Sequence, residues 1–145
     1  MKLKIKKLTS TATIPTRGSQ EAAGYDLYID SDVDTVIEPG KTLLIHTGCA
    51  MAIPDGNFGA VYPRSGLATK RGLRLANCVG VIDSDYRGEI MVPLHNDTSE
   101  TQTIAPHERI AQIIIQPYLS VEFEECDELD DTERGEGGFG HSGTN

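Results

Sequence analysis

The chain has 145 residues, a formal net charge of −9, 38% hydrophobic residues and no Trp, which suits one domain with a modest core. A balance this acidic argues against a nucleic-acid polymer as partner, and no apolar run is long enough to cross a bilayer as a helix, so no membrane role is expected. Cys49, Cys78 and Cys126 form neither a metal-ligand pair nor a disulfide framework, and the basic start lacks a secretory signal; together they point to the cytoplasm.

In chain order, Leu3, Ile5 and Leu8 predict a first strand. Strands over 25–29, 41–46, 49–53 and 57–62 follow. They are divided by Glu38-Pro39-Gly40, Thr47-Gly48 and Pro54-Asp55-Gly56, where Pro fixes φ and Gly admits positive φ. A short helix is predicted over 65–70. Residues 76–81 and 89–94 read as the arms of a β-hairpin turning at 83–88, with Val79 and Val81 alternating on one arm and Ile90, Val92 and Leu94 on the other. The apolar run 110–115 predicts a strand buried on both faces. From about Leu119 an acidic stretch, Glu122 to Glu133, reads as a solvated linker to a tail rich in glycine, Arg134 to Gly143. Short strands at this spacing predict an all-β sandwich or barrel.

Five stretches could carry chemistry. The hairpin tip, Gly80-Val81-Ile82-Asp83-Ser84-Asp85-Tyr86-Arg87-Gly88-Glu89, is either a polar turn or a carboxylate base beside a flat ring. Pro63-Arg64-Ser65-Gly66 opens the short helix, as an ordinary N-cap at Ser65 or as a phosphate site of arginine, hydroxyl and free N–H groups. Gln112, in Arg109-Ile110-Ala111-Gln112, must find partners for its amide, in the backbone or in a ligand. Asp26, in Ala23-Gly24-Tyr25-Asp26, could pair with an arginine or reach the water shell of a cation. The tail glycines could fold backbone N–H groups around an anion, although no strand–helix unit or Gly-Lys-Ser/Thr surrounds them.

In this order and wording, the five stretches resemble the five motifs of the trimeric dUTPases, over about Ala23 to Gly143. His141-Ser142 stands where many members have Ser-Thr. The resemblance implies a jelly-roll-like β-barrel or sandwich with one short helix, a barrel domain over 1–129, and a flexible glycine-rich C-terminal arm over 130–145. It implies a homotrimer with sites at subunit interfaces, and Mg²⁺-dependent hydrolysis of dUTP to dUMP and pyrophosphate. Asp83 would then be the base for the attacking water and would also contact the sugar. Tyr86 would pack under the deoxyribose. Asn77, Val81, Ile82 and Met91 would meet the uracil edge. Arg64, Ser65, Gly66 and Gln112 would hold phosphates, and Asp26 would hold Mg²⁺ through its waters. Arg134 would reach the terminal phosphate and Phe139 would stack on uracil, with Gly140 and Ser142 among the phosphate contacts. Two other readings are a dCTP deaminase of the same fold and a nucleotide-switched binding protein.

Overall fold

The computed structural model describes residues 2–138. Its strands are β1 (Lys4–Lys7), β2 (Tyr25–Tyr28), β3 (Thr35–Ile37), β4 (Thr42–His46), β5 (Cys49–Ala52), β6 (Asn57–Pro63), β7 (Leu73–Leu75), β8 (Gly80–Ile82), β9 (Met91–Asn96), β10 (Gln102–Ile104) and β11 (Arg109–Pro117); the one helix is α1 (Ser65–Arg71). The all-β class with one short helix agrees with the sequence reading. The long, strongly patterned strands fall where expected. β3, β7 and β10, three residues each, have no counterpart in that reading.

Four sheets form, in the orders β2-β11-β6-β8, β4-β9-β7, β1-β5 and β10-β3, and among the described residues they do not close into one barrel. The architecture is a jelly-roll-like sandwich. Leu27, Val61, Ile110 and Ile113 from the four-stranded sheet share one buried cluster with Ile45, Leu73, Leu75, Val92 and Leu94 from the three-stranded sheet. Strict alternation appears in β9, where Val92, Leu94 and Asn96 are buried and the residues between them are half-buried. Gly48 and Gly56 have φ of 64° and 74°, as the turn readings required.

Two expectations are corrected. The stretch 76–94 is not a paired hairpin: β8 joins β6, whereas β9 joins β4 and β7, so the chain crosses from one sheet to the other through residues 83–90. Ile90, Val92 and Leu94 do face the core, but Val79 and Val81 are exposed. Second, β11 is buried on both sides only in its first half. A register shift between Arg109 and Ala111 lets the adjacent Ile110 and Ala111 both be buried, while Ile114 and Ile115 stay half-buried.

One buried polar residue secures the end of β9. Asn96 donates to the carbonyls of Ile37 (3.0 Å) and Glu100 (2.8 Å), and its Oδ1 accepts from the N–H (2.9 Å) and hydroxyl (2.8 Å) of Thr98. The amide is fully satisfied and ties β9 to β3 and to the turn before β10.

Candidate active site

The crossing from β8 to β9 builds a pocket of about 290 Å³, lined by Leu44, Asn77, Val81, Ile82, Asp83, Tyr86, Glu89, Met91 and Pro93. Six of these residues were singled out in the sequence: Asn77, Val81, Ile82, Asp83, Tyr86 and Met91. The fold brings them together because β8 and β9 diverge into different sheets and leave a cleft between their near ends. The Tyr86 N–H donates to the Asp83 carbonyl (3.2 Å), which closes a turn and sets ring and carboxylate on one short loop. No hydrogen bond engages the Asp83 carboxylate among the described residues. It is therefore not spent on capping the turn, the bland alternative for this aspartate.

A second group assembles where β2, β6 and β11 meet. In the register Gln112 stands opposite both Asp26 on β2 and Tyr62 on β6. Asp26 accepts from Arg64 Nε on Oδ1 (3.0 Å) and from Arg109 on Oδ2 (3.1 Å), and its side chain is only 14% exposed. One carboxylate between two guanidiniums leaves a local charge of about +1 in a chain of net negative charge. Of the two readings open for Asp26, the ion pair is what the geometry contains. Gln112 donates to the Pro63 carbonyl (3.1 Å), so its amide has a backbone partner. Gly24 makes room for it, since a Cβ there would stand 2.4 Å from the Gln112 amide oxygen.

Arg64, not Ser65, is the N-cap of α1, in extended conformation and with no side-chain cap bond. The capping expectation for Ser65 is therefore corrected. Ser65 and Gly66 are exposed at the start of the helix, and a Cβ on Gly66 would meet nothing within 4 Å, so this corner is open.

Arg134 joins neither group: its Nε donates to the Gly137 carbonyl (2.7 Å) within its own turn. Phe139, Gly140 and Ser142 lie outside the described residues. The sequence reading missed Leu44, Pro93 and Glu89 at the pocket and Arg109 at the carboxylate. Glu89 and Arg109 stood inside the quoted stretches; Leu44 and Pro93 offered no signal, because only the pairing of β4 with β9 brings them side by side.

The comparisons with known proteins bear on the family and the fold. A family model described as dUTPase matches residues 10–143. The deoxyuridine 5'-triphosphate nucleotidohydrolase of Nautilia profundicola is 52% identical over 143 residues, 99% of each chain. The dUTPase of Staphylococcus bacteriophage 80alpha, solved with dUPNHPP, superposes with a TM-score of 0.91 at 30% identity, covering 99% of each chain. The dUTPase of phage phi11 of S. aureus, solved as a point mutant that reveals the coordination of a structural Mg(II) ion, has a TM-score of 0.80 at 25% identity, covering 89% of this chain and 99% of that one. The chain belongs to the dUTPase family.

Proposed function

We propose that this chain hydrolyses dUTP to dUMP and pyrophosphate by attack of water on the α-phosphorus, which keeps uracil out of DNA and supplies dUMP. The observation that carries the reading is the free Asp83 carboxylate beside the Tyr86 ring in a pocket of about 290 Å³. Asp83 takes the proton of the attacking water and meets the sugar hydroxyl. Tyr86 packs under the deoxyribose, where a 2′-hydroxyl has no space. Asn77, Val81, Ile82 and Met91 line the place of the uracil. Cytosine reverses donor and acceptor there, and unpaired polar groups of that kind can cost roughly 10⁴ in selectivity.

Arg64, Ser65, Gly66 and Gln112 hold the phosphate chain. The donor set suits a magnesium ion carried by the substrate: among the described residues no three His, Cys, Asp or Glu gather into a metal cage. Both Asp26 oxygens accept from arginines in a cluster of net charge about +1, so direct ligation is disfavoured and any contact with Mg²⁺ would run through the ion's water, with the triphosphate supplying the charge that holds the ion. When bound, the ion offsets the triphosphate charge.

The partner reading is a homotrimer with sites between subunits. Ile82 pairs with Gly59, and Arg64 lies five residues further on, just past the end of β6, on the order of 16 Å of strand. Backbone positions this far apart favour a site in which Asp83 and Arg64 come from different copies. Leu119, Val121, Phe123 and Leu129, 64–94% exposed, also call for a protein surface to cover them. The arm over 130–145, following the domain over 1–129, would bring Arg134 to the terminal phosphate, Phe139 to the uracil, and Gly140 and Ser142 to the phosphates, as a lid that completes the site. Three free cysteines suit a reducing cytoplasm.

The test is a panel of dUTP, UTP, dTTP and dCTP, with and without Mg²⁺, scored for pyrophosphate and ammonia. Mg²⁺-dependent pyrophosphate from dUTP alone is expected. Ammonia from dCTP would replace the reading with a deaminase, and no turnover of any nucleotide would replace it with a binding protein.

A further inference from the structure

The ring of Tyr86 is held by backbone that is itself held by one side chain. Its hydroxyl donates to the Glu89 carbonyl (2.9 Å). Between them Gly88 presents bare backbone to the ring: a Cβ there would stand 2.4 Å from the tyrosine oxygen and 2.6 Å from Cζ. The Glu89 side chain, 21% exposed, turns away from the ring toward the β4–β5 turn. Its Oε1 accepts the Gly48 N–H (2.8 Å) and its Oε2 pairs with His46 Nδ1 (2.8 Å). Both carboxylate oxygens are thus committed to a different segment of chain, and among the described residues the loop's other side-chain bonds are local, with Arg87 donating to the carbonyls of Ser84 and Tyr86.

We infer that Glu89 is a positioning residue for sugar selection: its carboxylate fixes residues 88 and 89 against the Gly48 turn, and through them fixes the Tyr86 ring at the depth that admits deoxyribose and excludes ribose. The inference rests on the proposed dUTP reading. The fold itself does not hang on this carboxylate. The next residue is anchored separately, with the Ile90 N–H donating to the Cys49 carbonyl (2.8 Å) and the Thr47 hydroxyl to the Ile90 carbonyl (2.6 Å). Loss of the Glu89 side chain therefore frees the loop from 86 to 89 and leaves β9 in place. A freed ring yields to a 2′-hydroxyl, and UTP gains relative to dUTP.

The experiment measures kcat/KM for dUTP and for UTP on the full chain and on Glu89→Ala, Glu89→Gln and Tyr86→Phe. Turnover of dUTP by the unaltered chain tests the function; the dUTP/UTP ratio tests the role of Glu89. Glu89→Ala is expected to lower the ratio about tenfold or more. Glu89→Gln keeps an acceptor for Gly48 and is expected to recover most of the ratio. Tyr86→Phe breaks the other end of the same tether, so it lowers the ratio and adds little to Glu89→Ala in the double variant. A parallel fall in both substrates at constant ratio would mean Glu89 only supports the fold, and would overturn the inference. Additive effects of the two substitutions would overturn it as well. If Glu89→Ala does not fold, Glu89→Asp, whose carboxylate is one methylene too short to keep both the Gly48 N–H and His46, reads the same ratio: selectivity lowered sustains the inference, and selectivity kept refutes it.

Discussion

Gly24→Ala separates the phosphate corner from the stability of the sheet. An added Cβ would stand 2.4 Å from the Gln112 amide oxygen, 3.2 Å from its Cδ and 3.3 Å from its Cβ. Ordinary contact begins near 3.4 Å, so the oxygen must withdraw by about 1 Å. Because Cδ and Cβ are crowded too, a turn of the terminal amide alone does not relieve the contact. The side chain swings, and its bond to the Pro63 carbonyl is lost, worth roughly 0.5–1.5 kcal/mol. Against this, replacing Gly by Ala narrows the unfolded ensemble, a gain of about 0.4–1 kcal/mol. The net change is within about 1 kcal/mol, which moves the melting temperature by roughly 2–4 °C at most. Under the proposed role of Gln112 catalysis responds differently, since a misplacement of about 1 Å at a group that orients phosphates can cost on the order of 100-fold in rate. The assay is steady-state pyrophosphate release from dUTP with Mg²⁺, beside a thermal melt. A kcat/KM within about threefold of the unaltered chain would refute the claim that Gly24 exists to seat Gln112 for phosphate. Strong unfolding would equally refute it, by showing that the sheet is what needs the glycine.

Three further outcomes follow from the geometry. Asp83→Asn keeps the shape of the pocket and should keep dUTP binding while kcat falls by roughly 10²–10⁴; unchanged kcat would remove Asp83 as the base. Asn96→Leu strands the Ile37 carbonyl and the Thr98 N–H, while the Thr98 hydroxyl keeps the Glu100 carbonyl (2.9 Å), and should cost about 2–4 kcal/mol, read as a drop in melting temperature of about 10 °C. Burial first, and the Asp30 carboxylate second, push the Cys49 thiol above its usual value of 9.0. A raised folded value means stability is full below the unfolded thiol's range and is lost as pH rises through the folded value, so Cys49→Ala should flatten the decline in melting temperature above about pH 9.

What the sequence disclosed follows the range of the forces involved. Strands with several alternating or continuous apolar residues, such as 41–46 and 110–115, carry their own signature. β3, β7 and β10, at three residues each, are too short to show a period and exist because neighbours pair with them. The stretch 76–94 has the local pattern of a hairpin, but which strand each arm joins is decided by β6 and β4, elsewhere in the chain. The same limit hid part of the site. Asp26 could be read as ion-paired or as metal-facing until folding brought Arg109 to it across 83 positions. Asn96 lies two residues past the predicted arm 89–94 and carries no signal of its own, yet it is buried with its whole amide bonded. Leu119, Val121 and Phe123 read as the start of an acidic linker, because Ser120 and Glu122 alternate with them and carboxylates follow; all three are exposed in the single chain.

The separation of Asp83 from Arg64 along β6 makes the shared site open to a direct experiment. If each site takes Asp83 from one copy and Arg64 from another, then Asp83→Asn and Arg64→Ala damage different sites within a mixed assembly. A site is intact only where the copy giving Asp83 carries the Arg64 change and the copy giving Arg64 carries the Asp83 change. In a random 1:1 mixture, exchanged through mild denaturation and refolding, each condition holds for half of the copies, so about a quarter of the unaltered activity should return. Each variant refolded alone should stay at its own low rate. The result is insensitive to partial loss of stability in either variant, because added function cannot come from two damaged chains acting separately. A mixture no more active than the mean of its components would show that Asp83 and Arg64 serve one site within one chain. The strand spacing would then have to be bridged by a movement of the loop from 83 to 90, not by a neighbour.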